Sequence, residues 1–159
     1  MPKIKINHHV HDHFIAIKEK FNLDLFIKLT PPLARCEVTR FDGCQKNDEV
    51  HLTFYPMWKL RLRTIKFHWV SLITKASTSE NEFQFIDEGK RMPWPFKSWH
   101  HHHLVIKVDE SQSLIVDDIE YKTHSTLIDY LAYPGLYFTF FMRRGVYRTE
   151  FNNIKKKIS

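Results

Sequence analysis

Residues 125–158 read STLIDYLAYPGLYFTFFMRRGVYRTEFNNIKKKI, the segment of the chain that is richest in aromatic residues. Large apolar side chains recur in it at steps of three and four residues, the spacing that places side chains on one face of a helix. The recurring residues are Leu127, Leu131, Tyr137, Phe140, Phe141 and Tyr147. A helix with so many rings has to pack against a broad apolar surface.

Two features indicate where helices begin in this segment. Thr126 precedes Asp129 by three residues, the spacing of a capping box. Pro134 is followed by Gly135, and proline fits the first turn of a helix but clashes in its interior. We therefore predict a short helix over about 126–132 and a long helix that begins near Pro134.

The aromatic helix is either a plain core helix or one whose rings also line a ligand pocket. A membrane span is less consistent with the sequence. Residues 127–142 are fewer than the ~20 apolar residues that cross a bilayer, and they include Asp129.

The composition is that of a soluble globular protein, with 43% hydrophobic and 26% charged residues among 159. This length suits a single domain over residues 1–159. No Gly-rich phosphate-binding motif is present, which disfavours nucleotide binding by those routes. We expect no cofactor. The net charge of +6 is dispersed along the chain, which argues against nucleic acid as a partner.

Cys36 and Cys44 are the two cysteines, and their spacing is not that of a zinc motif. The N-terminal sequence MPKIKINHHV lacks the apolar core of a signal peptide. We therefore expect reduced thiols and a cytoplasmic protein. A disulfide between the two cysteines is the alternative.

Apolar residues alternate with a period of two from residue 33 onwards, as is typical of β-strands. A first strand over 3–7 and two short helices, the second over 22–29, precede this region. Six strands are predicted at 33–41, 48–54, 66–74, 82–87, 98–108 and 113–121. Short turns between strands imply an antiparallel sheet, and only the C-terminal helix is long enough to cover it. The chain is therefore predicted to be an α+β protein.

Six segments resemble an uncharacterised bacterial subfamily of the START-like, or SRPBCC, superfamily, and the resemblance covers essentially the whole chain. They are RFDGCQKNDEVHL at 40–52, WVSLIT at 69–74, FIDEG at 85–89, WHHHHLV at 99–105, VDDIEY at 116–121 and LIDYLAYPGLY at 127–137. The resemblance implies the helix-grip fold, a curved antiparallel sheet wrapped around a long C-terminal helix. It also implies an apolar cavity between them, because members include lipid carriers, plant ligand binders and polyketide aromatase/cyclases. No catalytic motif carries over residue by residue.

Residues 100–103 are four consecutive histidines on a predicted strand. Alternate residues of a strand share a face, so His101 and His103 point to one side of the sheet. Pairing around the turn at 109–111 places His103 opposite Asp118, and it brings Phe83 and Phe85 near His103 and His101. A histidine beside an aspartate is either an oriented general base or a buried pair without a catalytic role.

The sequence leaves open which face of the sheet is inside. One face combines His101 and His103 with apolar residues of three strands, and we favour it. The other combines Asp117, which this pairing places opposite Leu104, with His100, His102 and several isoleucines.

Two histidines at alternate strand positions also suit a metal ion. A third ligand would have to come from Asp87, Glu88, Asp118 or the histidines of residues 8–13. Because a site needs three or four convergent ligands, we expect no metal. The paired carboxylates at 87–88 and 117–118 are expected at solvated edges or in salt bridges to Arg143, Arg144 or Lys90.

Residues 55–64 read YPMWKLRLRT, in which rings and aliphatic side chains alternate with cations. This pattern suits contact with an anionic membrane, and a hairpin that buries Leu60 and Leu62 explains it equally well. Trp94 and Phe96 are candidates for the other lip of a cavity mouth.

We therefore expect a hydrophobic small molecule or lipid, bound between the sheet and the C-terminal helix by a carrier. The residues expected along the cavity are Trp69, Phe83, Phe85, Trp99, His101, His103, Tyr133, Tyr137 and Phe141. One alternative is an enzyme of the aromatase/cyclase or dehydratase type with His103 and Asp118 as acid and base. Another is a peripheral membrane-binding module that uses residues 55–64.

Overall fold

The computed structural model describes residues 1–32, 34–56 and 65–152. The strands are β1 (Lys3–Val10), β2 (Arg35–Phe41), β3 (Glu49–Tyr55), β4 (Phe67–Thr78), β5 (Glu82–Arg91), β6 (Phe96–Lys107) and β7 (Ser113–Thr123). The helices are α1 (Phe14–Glu19), α2 (Leu23–Lys28) and α3 (Thr126–Glu150). This arrangement confirms the predicted α+β class and the order β, α, α, six strands, α.

The strands form one antiparallel sheet in the order β1-β7-β6-β5-β4-β3-β2. Strands β2 to β7 pair with their neighbours in the chain, and β1 pairs with β7. Register shifts interrupt β2, β4 and β6, and such bulges bend a sheet. The sheet is curved, with α3 against β1 and β7 on its inner side. The predicted helix-grip fold is therefore confirmed.

Buried aromatic side chains hold α3 on the sheet. Phe140 packs with Ile4, Ile119 and Tyr121, while Tyr147 belongs to a second buried cluster. The start of α3 is tied to the end of β7 by hydrogen bonds: the Tyr121 hydroxyl donates to the Asp129 carbonyl at 2.6 Å, and the Thr123 N–H donates to Asp129 Oδ1 at 2.6 Å. The predicted capping pair of Thr126 and Asp129 is therefore wrong, because the Asp129 carboxylate accepts its hydrogen bond from the end of β7 instead.

α3 is continuous through Pro134, so the predicted break at this residue is also wrong. Proline has no N–H to donate to the carbonyl four residues earlier, which is that of Tyr130. Both residues lie on the exposed side of the helix, where water can hydrate that carbonyl. Packing of the opposite side of α3 against the sheet keeps the helix continuous on both sides of Pro134.

The buried face of α3 carries Asp129, Phe140 and Tyr147. Four members of the predicted stripe are instead exposed: Leu127, Leu131, Tyr137 and Phe141. The apolar pattern alone therefore gave the wrong rotation of the helix about its axis. In the described part of the chain, no helix is both long and apolar enough to span a membrane.

Candidate functional site

A cavity of about 340 Å³ lies between the sheet and α3. Strands β3 to β6 supply much of its wall, and side chains of α2 and α3 complete it. Most of the lining is apolar and includes Phe26, Leu29, Val50, Leu52, Ile73 and Leu136. The inward positions of adjacent strands meet here because side chains alternate between the two faces of the sheet.

Five of the nine residues predicted along the cavity do line it. They are Trp69, Phe85, Trp99, His101 and His103. The rings of Trp69 and Trp99 meet edge to face with centroids 5.2 Å apart. Phe96, predicted at the cavity mouth, also lines the cavity and packs against both tryptophans. Trp94 is 71% exposed.

The other four predicted residues lie elsewhere. Phe83 is buried in the core, 5.8 Å from the ring of Phe21. Tyr133, Tyr137 and Phe141 lie on the outer side of α3, 36–42% exposed, because Asp129, Phe140 and Tyr147 fix the opposite side against the sheet. Helix α3 instead presents Leu136, Thr139, Phe140 and Arg143 to the cavity. The sequence could have identified these residues, because helical steps of three and four residues connect them to Phe140 and Tyr147.

The polar end of the cavity depends on the register between β6 and β7. His103 lies opposite Asp117, and Asp118 lies opposite His102, so the predicted pairing of His103 with Asp118 is wrong by one residue. A shift of one residue moves a side chain to the other face of a sheet. The Asp118 side chain accordingly points away from the cavity, 3.2 Å from Lys3 Nζ. The predicted acid and base therefore do not meet in the cavity.

The neighbouring register was also predicted with an offset. Phe85 lies opposite His103, and Asp87 lies opposite His101. The rings of Phe85 and His103 stack with centroids 4.2 Å apart. Asp87 is thereby brought beside both inward histidines, an arrangement that places a second carboxylate at this end of the cavity.

Asp117 is fully buried beneath the cavity. Its Oδ1 is 2.9 Å from His101 Nε2 and accepts a hydrogen bond of 3.0 Å from Arg143 Nη1. His8 Nε2 and the Tyr147 hydroxyl each lie 3.5 Å from Oδ2. Burial by itself raises the pKa of Asp117, but the Arg143 charge and the histidine hydrogen bonds outweigh it and hold the pKa well below its usual value. The salt bridge predicted between a carboxylate of this pair and Arg143 is present.

Asp87 forms the second polar contact of the two histidines. Its Oδ2 is 3.0 Å from His103 Nε2 and 3.3 Å from His101 Nδ1. Its Oδ1 accepts a hydrogen bond of 3.1 Å from the Ser71 hydroxyl, which in turn accepts one of 2.9 Å from Trp69 Nε1. Burial opposes ionisation of Asp87, yet the hydrogen bonds from both histidines lower its pKa.

The two histidines have opposite pKa shifts. Burial disfavours the charged form of His101, but hydrogen bonds to Asp117 and Asp87 outweigh burial and raise its pKa. Burial and the nearby His101 charge lower the pKa of His103 to about 4. The environment thus favours the charged form of His101, which lies between two carboxylates, and the neutral form of His103 beside it.

Among the cluster residues that line the cavity, two buried polar atoms lack a hydrogen-bond partner in the described part of the chain. They are His103 Nδ1, which is 3.5 Å from Asp117 Oδ1, and Arg143 Nε. Both side chains line the cavity, and the two nitrogens themselves are buried. Asp87, His101 and His103 also bring one metal-ligating atom each to within 4.8 Å of the others.

The remaining predictions concern the cysteines and the basic segment. Cys36 and Cys44 are free thiols, and Cys44 lines the cavity. Burial raises the pKa of Cys36 to about 11 and that of Cys44 to about 12. Residues 57–64, the main part of the predicted membrane contact, lie outside the described residues.

No sequence profile of a known family matches the chain, and no curated protein matches it in sequence. Solved structures do match its fold. A START superfamily protein from Mycobacterium smegmatis has a TM-score of 0.61 at 10% identity, covering 91% of this chain and 96% of its own. Major latex-like protein 151 from Panax ginseng has a TM-score of 0.58 at 13% identity. The match covers 89% of this chain and 93% of the ginseng protein. A third match is a point mutant of norcoclaurine synthase from Thalictrum flavum in complex with a transition-state analogue. It has a TM-score of 0.57 at 12% identity, and the match covers 84% of this chain and 82% of the synthase. These likenesses establish the START-like helix-grip fold.

Proposed function

We propose that the protein binds an apolar small molecule that carries one polar or anionic group, in the cavity between the sheet and α3. The observation that carries this proposal is the combination of apolar walls with a buried polar cluster at one end. Small-molecule sites are typically concave and mostly apolar, with a few placed polar groups that orient the ligand.

The size of the cavity limits the ligand. A volume of about 340 Å³ is near the lower end of the ~300–1,000 Å³ typical of ligand sites. It is roughly twice the ~150 Å³ of an engineered apolar cavity that binds benzene. The cavity therefore suits a molecule of about two rings, or an aliphatic chain of similar volume.

The polar group of the ligand is expected at Arg143 and His103. Each has a buried nitrogen without a hydrogen-bond partner in the described part of the chain, and leaving such an atom unsatisfied costs about 1–3 kcal/mol. A rotation of either side chain toward the cavity would let a carboxylate, phenol or carbonyl oxygen of the ligand supply the missing partner. The fold adds support, because the norcoclaurine synthase structure of the same fold holds a transition-state analogue.

A second candidate, acid–base catalysis on the bound molecule, is favoured by the neutral His103 imidazole. Its Nε2 lies 3.0 Å from Asp87 Oδ2, so Asp87 rather than Asp118 would orient it. Under this alternative the molecule extracted from the protein is converted to product on incubation with fresh protein. A carrier releases it unchanged.

The binding proposal is tested by filling the cavity from α3. Thr139 lines the cavity, and its hydroxyl donates to the Gly135 carbonyl at 2.9 Å. Thr149 makes the same type of bond, 3.0 Å to Gly145, on an exposed part of the helix, so it is a matched control. We expect Thr139→Trp to abolish binding of a fluorescent two-ring probe such as 2-naphthol, and Thr149→Trp to retain it. Equal binding by both variants contradicts the proposal.

A further inference from the structure

We propose that the polar end of the cavity is a metal site, in which Asp87, His101 and His103 bind a divalent transition metal ion such as Zn²⁺. One ligating atom of each residue lies within 4.8 Å of the others, and all three side chains line the cavity. The sequence contains two histidines at alternate positions of one strand and leaves several candidates for a third ligand, of which Asp87 is one. Strand β5 supplies it, because Asp87 pairs with His101 across the sheet.

The distances between the ligating atoms suit a metal ion. Asp87 Oδ2 lies 3.0 Å from His103 Nε2 and 3.3 Å from His101 Nδ1. Ligands at about 2.1 Å from a metal ion are separated by about 3.0 Å in octahedral and about 3.4 Å in tetrahedral geometry. These two separations therefore match those of metal ligands, and the two histidine atoms lie within 4.8 Å of each other, close enough for side-chain adjustment to bring both onto one ion.

The outer contacts of the three residues are those that orient metal ligands. His101 Nε2, the nitrogen away from the proposed ion, is 2.9 Å from Asp117 Oδ1. A carboxylate that binds the distal nitrogen of a ligating histidine fixes the orientation of the ring. The free oxygen of Asp87 is likewise held, by the Ser71 hydroxyl at 3.1 Å. These contacts fix the ligating atoms of both residues toward one point.

The ligand types indicate the class of metal and what completes its coordination. Imidazole with one carboxylate suits Zn²⁺ and neighbouring transition metals, whereas Mg²⁺ and Ca²⁺ prefer oxygen ligands alone. Three protein ligands leave a position open, as in catalytic rather than structural zinc sites. With Arg143 adjacent, the two aspartates do not fully neutralise a divalent ion, so the open position favours an anionic oxygen from water or from a bound molecule.

The test uses Zn²⁺ alone, so its outcome is independent of the apolar ligand. Untagged protein is stripped with EDTA, dialysed and titrated with zinc chloride by isothermal titration calorimetry. We expect one equivalent to bind tightly, and the double variant H101A/H103A to weaken that binding by more than ~100-fold. The matched control is H100A/H102A, which removes two histidines of the same strand from the opposite face of the sheet.

A second set of variants leaves all three ligands in place. Asp117→Asn keeps all three ligands and is expected to weaken zinc binding ~10–100-fold, because Asp117 orients His101. Thr139→Trp is expected to bind zinc, which separates this proposal from that of the apolar ligand. Absence of stoichiometric zinc binding by the wild-type protein overturns the metal site. Equal loss in H100A/H102A and H101A/H103A also overturns it, since it would indicate adventitious binding to surface histidines.

Discussion

Replacing Asp117 with asparagine removes the buried charge on which the polar cluster depends. The side chain is fully buried and contacts Arg143 at 3.0 Å and His101 at 2.9 Å. Asparagine has nearly the same shape, so the change leaves Arg143 with a neutral partner in a site from which water is largely excluded. Breaking a buried ion pair from one side costs about 3–5 kcal/mol. In a domain of this size 1 kcal/mol lowers Tm by about 2–4 °C, so we expect a decrease of ~6–20 °C.

The assay is urea and thermal unfolding in EDTA, followed by circular dichroism. Asp118→Asn is the control, because Asp118 lies on the other face and contacts the half-exposed Lys3. An ion pair with so exposed a partner contributes up to about 1 kcal/mol. Arg143→Met removes the guanidinium group, whose carbon lies 4.1 Å from the centre of the Phe140 ring, and the double variant removes both charges of the pair. We expect the double variant to be more stable than the sum of the single changes by about 1–3 kcal/mol. Equal stability of Asp117→Asn and Asp118→Asn, or strict additivity in the cycle, refutes this explanation of the cluster.

Three further predictions test the helix, the cavity wall and the floor of the site. Pro134→Ala restores the N–H that can donate to the Tyr130 carbonyl, so it should stabilise the protein by about 1–3 kcal/mol in urea unfolding; a destabilised variant would argue for a broken helix. Cys44, with a pKa of about 12, has far less thiolate at pH 8 than an ordinary cysteine, so iodoacetamide should label it at least ~100-fold more slowly than in the urea-unfolded chain. Labelling should accelerate about tenfold for each pH unit as pH rises toward this pKa, while a rate independent of pH would contradict the burial of the thiol. Tyr147→Phe removes a buried hydroxyl 3.5 Å from Asp117 and should cost about 0.5–1.5 kcal/mol, measured against wild type in the same unfolding assay.

The order of strands and helices was predictable because it depends on local patterns. Alternation of apolar residues marks a strand wherever it occurs, and short turns between successive strands specify antiparallel neighbours. The predicted strands at 66–74 and 82–87 were too short, because β4 and β5 continue past the point where alternation weakens. The end of a strand is set by pairing with its neighbour, which the local sequence does not reveal.

The register of β7 was not predictable to one residue. The turn between β6 and β7 contains only polar residues and Val108, and moving the pairing by one residue exchanges Asp117 for Asp118. Asp117 alternates in step with Ile115, Ile119 and Tyr121, all of which are buried. This alternation was the evidence in the sequence that Asp117, and not Asp118, faces inward. An aspartate in an apolar row conflicts with the expectation that charges lie outside. Burial here is stabilised by Arg143 from α3, a contact between distant parts of the chain.

The rotation of α3 was mispredicted for a similar reason. Its inner face carries Asp129 and Arg143 among the apolar residues, whereas its outer face carries Leu127, Tyr137 and Phe141. Apolar content alone therefore favours the wrong face. The inner charges are accepted because Asp129 binds the Thr123 N–H and Arg143 binds Asp117. The periodicity of apolar residues does not predict these two contacts, and the contacts determine which side chains of α3 enter the cavity.

The most direct test of the central claim is native mass spectrometry of untagged protein purified from the organism that produces it. The binding account predicts a mass above that of the bare chain by one small molecule, which organic extraction releases and Thr139→Trp does not retain. A bare-chain mass for the wild-type protein, unchanged after incubation with an organic extract of the same cells, would contradict it.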